Sequence, residues 1–324
     1  MSLFFRRAAS AAPASVQPLH RAYISLDELA RLRFQARSLK LRPDRRALKQ
    51  TAGIHLSRFR GRGIDFAEVR QYQPGDDIRT IDWRVTARRG KPHTKLFQEE
   101  RERPVLLLVD QSLSQFFGSQ LAFKSVRAAE LAGLIAWTAI QRGDRVGGLV
   151  FSDFGRQELR PGRSQKEVLR FLKLLHAFNR QLNLDKLSQP VNFDLNQALA
   201  EMRRIAKPGS LIFVISDFQD QNEETRRHLH LLARHNDLIA LCTYDPLEIS
   251  LPSSGVYSIS DGQQSLRINA NDNRLRNAYR NSYEDNLKQL TETLAKTSIP
   301  LIQASTRESA LDVLRRTFAN RPTP

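Results

Sequence analysis

VLLLVDQSLS, residues 105–114, decides how this chain is read. Five apolar residues (Val105, Leu106, Leu107, Leu108 and Val109) deliver Asp110, Ser112 and Ser114 to the end of the run. An unbroken apolar run of this length, charged before and polar after, fits a central parallel strand covered on both faces. In open α/β sheets, ligands sit at the carboxyl ends of the strands. An acid and two hydroxyls at alternate positions there place three oxygen ligands on one loop. That is the ligand chemistry of a hard divalent cation such as Mg²⁺, with water filling the remaining octahedral positions. A second reading of the same residues stands beside it: Asp as a helix N-cap, with Ser bonding the local backbone of a turn.

A second apolar run, Leu211–Ser216, ends in Asp217. In a parallel sheet both runs end on the same edge, so Asp110 and Asp217 can approach one another. Two carboxylates and two hydroxyls form a candidate hard-metal set. N-capping of the next helix is the competing role for Asp217.

Strands and helices alternate from Pro104 onward. After the first strand comes a helix over 121–142, a strand over 145–151, a hairpin at 155–162 and helices over 165–178 and 194–205. Strand 211–216, helix 223–235, strand 238–244, a polar hairpin at 255–268, a charged helix over 273–297, strand 300–304 and helix 308–318 follow. This alternation predicts a doubly wound, mainly parallel α/β sheet. Upstream, Ser25 caps a predicted helix through about Leu39, with Asp27 and Glu28 in its first turn. Residues 53–103 are punctuated by Gly53, Gly61, Gly63, Pro74, Gly75, Gly90 and Pro92, which suits a small β-rich or irregular layer. There Trp83 is a candidate anchor onto a core. The expected organisation is a disordered tail over 1–22, a helix with a basic β-rich segment over 23–103, and an α/β domain over 104–324.

Charge points to partners. The 324 residues carry 51 Lys and Arg against 34 Asp and Glu, a net charge of +17. Residues 31–103 alone hold 20 basic and 9 acidic side chains, so much of the excess is early. Nucleic acid, an anionic membrane surface met peripherally, and an acidic protein are all compatible partners, as is a merely solvated basic surface. The single cysteine, Cys242, lies in an apolar run, so neither an internal disulfide nor a thiolate zinc cluster can form. The best apolar stretch, residues 131–140, is too short to span a bilayer. The N-terminus has early arginines but no leucine-rich central region, and Pro13 and Pro18 interrupt it, which argues against a secretory signal and for a cytoplasmic protein.

Taken together, Asp110, Ser112, Ser114 and Asp217 resemble the metal-ion-dependent adhesion site of von Willebrand factor A-type domains. In that family a D-x-S-x-S loop, a Thr from a later loop and a late Asp hold Mg²⁺, and a partner's carboxylate often completes the coordination. The Thr has no counterpart here: the loop reads Pro190-Val191-Asn192-Phe193-Asp194, leaving Asp194 as the candidate substitute.

Upstream, residues 63–72 lead into Pro74-Gly75-Asp76-Asp77-Ile78-Arg79, Ile81-Asp82-Trp83-Arg84 and Ala87-Arg88. With Arg70 and Tyr72, this run is similar to the signature of the bacterial domain-of-unknown-function family fifty-eight, in which it precedes a von Willebrand A-like domain. The resemblance spans about residues 40–245. It implies a partner role beside a MoxR-type AAA+ ATPase in assembly, maturation or remodelling of other proteins. Read from the residues alone, Arg70, Arg79, Arg84 and Arg88 among Asp65, Glu68, Asp76, Asp77 and Asp82 suit an ion-pair network.

Other signals are weak. Gly61-x-Gly63 lacks the strand-helix context of a dinucleotide fingerprint, and no P-loop motif is present. His228, His230 and His235 share one predicted helix but not one face, and are expected at the surface. The leading expectation is a non-enzymatic interaction protein presenting a metal edge to a partner carboxylate. A phosphate-contacting, nucleic-acid-associated protein is the alternative. A metal-dependent hydrolase is a third reading, without an evident general base.

Overall fold

A computed structural model of the chain describes residues 4–7, 21–39, 66–73, 78, 81–97, 103–183, 192–219, 221–260 and 265–318. The chain divides into two compact units, residues 57–103 and the remainder. Among the described residues, no helix is long and apolar enough to cross a membrane.

The larger unit begins with strand β1 (Phe4–Arg7) and helix α1 (Leu26–Ala36). Ser25 and Glu28 close a capping box on α1. The smaller unit pairs β2 (Phe66–Gln71) with β3 (His93–Phe97) antiparallel, with helix α2 (Trp83–Arg89) between them in sequence. Asp82 caps α2 through the Arg84 and Val85 amides, and Gly90, at φ +65°, ends it in the left-handed conformation that glycine tolerates. Asp82 therefore serves its own helix. Trp83 is 68% exposed, in place of the expected core anchor. Pro74, Gly75, Asp76 and Arg79 lie outside the described residues, so the expected ion-pair network there does too.

The main sheet is built from β4 (Pro104–Asp110), β5 (Arg145–Ser152), β6 (Gly155–Gly162), β7 (Leu211–Ser216), β8 (Asp237–Tyr244) and β11 (Leu301–Ser305). Its order is β11-β8-β7-β4-β5-β6. All neighbours are parallel except β6, which folds back on β5 as the expected hairpin. Helices α3 (Lys124–Gln141), α4 (Gln165–Gln181), α5 (Leu195–Ile205), α6 (Glu223–Ala233), α7 (Pro246–Ile249), α8 (Asn273–Lys296) and α9 (Ala310–Phe318) complete the unit. Strand β4 shows why the sheet is covered twice. Val105, Leu107 and Val109 enter one core with α1, α3, α4 and α9, while Leu106 and Leu108 enter a second core with α5, α6 and α8. A doubly wound α/β sheet, mainly parallel, is thus the architecture.

Gly148 allows β4 and β5 to approach closely: a Cβ there would lie 2.0 Å from the Leu107 carbonyl oxygen. Helix α1, expected to go with the basic segment, instead packs on α3. The Trp137 indole N–H donates to the Leu29 carbonyl at 3.2 Å, and Leu29, Leu32 and Ala36 are buried in the first core. Within the expected tail over 1–22, Phe4–Arg7 form β1. β1 adds to the edge of the hairpin formed by β9 (Val256–Ser260) and β10 (Ser265–Asn269), satisfying backbone groups that an open edge leaves unpaired. Arg21 pairs with Glu28 and Glu130.

Candidate functional site

The parallel register brings β4 and β7 to one edge: Val109 lies beside Ile215, so Asp110 and Ser216 follow side by side. Asp110 is 3% exposed. Its Oδ1 accepts from the Ser112 amide at 2.8 Å and its Oδ2 accepts from the Ser216 hydroxyl at 2.6 Å. Burial, and then the nearby charge of Asp217, push its carboxyl up to about 7, against the pull of the Ser112 and Ser216 hydrogen bonds. The Ser112 and Ser114 hydroxyls are 2.9 Å apart and half-buried, so they line the mouth of the edge. Asp110 thus bonds the Ser112 amide, and Ser114 meets the Ser112 hydroxyl on the same loop.

That loop is held from three sides. The Leu113 amide donates to Asp153, which follows β5, at 2.5 Å. The fully buried Gln111 amide donates to the Ser125 carbonyl and accepts from Asn179, whose own oxygen accepts the Ile24 amide. Asp245, at the end of β8, accepts from the Ser119 amide and hydroxyl, the Leu247 amide and the Thr306 hydroxyl. The loop is thus set by buried hydrogen bonds, which fix geometry because leaving any of them unmade is costly.

Asp217 has a different partner from the one expected. Its Oδ2 lies 2.8 Å from the Lys124 ammonium, and Glu248 Oε1 lies 2.6 Å from the same nitrogen. Lys124 is 0% exposed. Burial alone would lower its pKa, but Asp217 and Glu248 outweigh that and hold it above the usual lysine value. The turn after Asp217 is also unusual, since Phe218 takes a left-handed φ of +53° and donates its amide to Ser216 Oγ. Beside it a cleft of about 290 Å³ is lined by Asp217, Phe218, Cys242, Tyr244, Glu248 and Tyr283.

Asp194 does not act as the missing hydroxyl ligand would. It caps α5, accepting from the Gln197 amide while Gln197 reaches back to the Asp194 amide. The Asp-x-x-Gln spacing of that capping box was readable in the sequence. His228, expected at the surface, is buried beside Arg203 at 3.1 Å.

These observations test the implied Mg²⁺. Both Asp110 oxygens already accept hydrogen bonds, and Asp217 is engaged by an internal ammonium. The remaining hydroxyl pair is neutral, and hard divalent ions depend on carboxylates for tight binding. With Asp217 already held by the Lys124 ammonium, the four expected ligands do not stand free as a divalent-ion set.

The residues that complete this edge and were missed in the sequence are Gln111, Lys124, Asp153, Ser216, Asp245 and Glu248. Ser216 had a local signal, as the hydroxyl before a strand-end acid. Lys124 and Glu248 had none, because their partners are 93 and 124 residues apart in the chain.

Comparison with known proteins identifies the family. A family model described as protein of unknown function DUF58 matches residues 68–289. This chain belongs to the DUF58 family. The match runs from within β2 into α8 and stops short of β11, whereas the motif resemblance reaches only about residue 245. An uncharacterized protein of Mycobacterium tuberculosis, Rv1480, is 28% identical over 311 residues, covering 94% of this DUF58 chain and 95% of its own length. The uncharacterized YeaD of Bacillus subtilis is 43% identical over 51 residues, 16% of this chain and 13% of its own. Among solved structures, a conserved hypothetical protein, BatB from Bacteroides thetaiotaomicron, aligns with a TM-score of 0.42 at 15% identity, covering 66% of this chain and 96% of that one. A von Willebrand factor type A protein from Catenulispora acidiphila aligns with a TM-score of 0.31 at 13% identity, covering 45% and 34%.

Proposed function

We propose that this DUF58 protein is a non-enzymatic interaction module that binds a partner protein at the carboxyl end of its sheet. The observation that carries this reading is the half-buried Ser112–Ser114 hydroxyl pair, 2.9 Å apart, on a loop anchored by Asp110, Asp153 and Asp245. A preorganised polar loop loses little freedom on binding, which favours recognition. Leu121, exposed at the end of the same loop, adds an apolar contact beside the polar ones. The family resemblance points to a MoxR-type AAA+ ATPase as the partner, in assembly, maturation or remodelling of other proteins.

The test is binding of the purified ATPase from the same organism, by biolayer interferometry, to the native chain and to Ser112→Trp. The bulky indole blocks the mouth of the edge while leaving Asp110 in place. At least a tenfold loss of affinity, about 1.4 kcal/mol, is expected with an unchanged circular dichroism spectrum. Unchanged affinity would overturn the assignment of this edge.

A further inference from the structure

Lys124 stands where a lysine is least expected. It is the first residue of α3, at the positive end of the helix dipole, in a first turn with no acidic residue and no side-chain cap. It is also fully buried, and its helix is covered as far as Ala139. A buried ammonium at a helix N-terminus is doubly unfavourable unless acids surround it. Here two acids do, Asp217 from the β7 end at 2.8 Å and Glu248 from α7 at 2.6 Å. Gln219 donates to the same Glu248 oxygen at 3.0 Å and closes the group. Local preferences broken in this way, and compensated from distant parts of the chain, mark sites kept for a role.

We propose that the Lys124 ammonium is the built-in cation of this edge. It gathers Asp217 and Glu248 as a bound divalent ion gathers carboxylates in metal-dependent sites. One atom then ties α3, the turn after β7 and α7 together, and the edge takes its shape without metal. The assignment concerns the free protein and does not depend on the partner proposed above. Resting on that partner is one consequence: binding continues in chelator.

Calorimetric titration of Mg²⁺ and Mn²⁺ into the wild-type chain tests the proposal directly, with melting temperatures measured in millimolar metal and in EDTA. No metal binding and no shift in melting temperature are expected. One-to-one binding abolished by Asp217→Asn would overturn the proposal, whatever becomes of the partner. The converse arm uses Lys124→Met, which keeps the side-chain length and leaves the acids without their cation. Its melting temperature is expected to fall and to recover by several degrees with millimolar Mn²⁺, a response absent from the wild type. A folded Lys124→Met protein indifferent to both metals would show that the ammonium does not stand in for one. If that variant does not fold, the wild-type titration decides alone. Failure of partner binding with a metal-blind wild type would count against the interaction reading only.

Discussion

Asp110→Asn should flatten the pH dependence of stability. Burial and the neighbouring Asp217 raise the Asp110 carboxyl from an ordinary 3.8 to about 7. Between those values the folded chain holds a proton that the unfolded chain releases. More protons bound in the folded state means that stability falls as pH rises across that window, from about 4 through about 7. At about 1.4 kcal/mol per pH unit, ionising Asp110 costs up to about 4 kcal/mol by pH 8, less after local relaxation. Asparagine is neutral throughout. Its oxygen can still accept the Ser112 amide, and the Ser216 hydroxyl can turn to accept from its nitrogen. Urea unfolding of both proteins at about pH 5 and about pH 8 measures the difference, and the other titrating groups cancel in the comparison. The wild type should lose roughly 2–3 kcal/mol more than the variant over that range. Parallel pH profiles for the two proteins would refute the reasoning that Asp110 is a strained, desolvated acid.

Three further outcomes follow from the packing. Asp245→Ala removes an acceptor that serves four donors and should cost about 3 kcal/mol or more in denaturant unfolding; a loss under about 1 kcal/mol would contradict the hub role. Gly148→Ala puts a methyl 2.0 Å from the Leu107 carbonyl oxygen and should destabilise by about 3 kcal/mol or prevent folding, read from expression and melting temperature. Burial pushes the Cys242 thiol up to about 12, so iodoacetamide at about pH 8 should label it only after denaturation. Rapid native labelling would show that the strand is open to solvent.

The fold was legible because its determinants are local. Val105–Val109 and Leu211–Ile215 are apolar at every position, and that unbroken pattern marks strands with a core on each face. The Ser25–Glu28 capping box and the Leu29, Leu32 and Ala36 stripe marked α1, but a stripe states that a face is buried and not against what. Its partner, α3, is settled only by tertiary packing, in which Leu29, Leu32 and Ala36 enter the first core and the Trp137 indole donates to the Leu29 carbonyl. At the edge, Asp110, Ser112 and Ser114 were readable because they share one short loop. Asp217 was readable as a strand-end acid, yet its chemistry was not. The ammonium that claims it comes from the start of a helix 93 residues away, where a lysine looks like any solvated charge. Asp194 failed in the opposite sense, since its capping role was written locally and a long-range role was assigned to it instead.

Hydrogen exchange of the chain alone and in complex with the ATPase tests the central claim most directly. Protection gained in residues 110–121, 216–219 and 244–250, which lie at the carboxyl edge, is the predicted result. Protection confined to the basic 57–103 unit, with the edge exchanging as in the free protein, would contradict it.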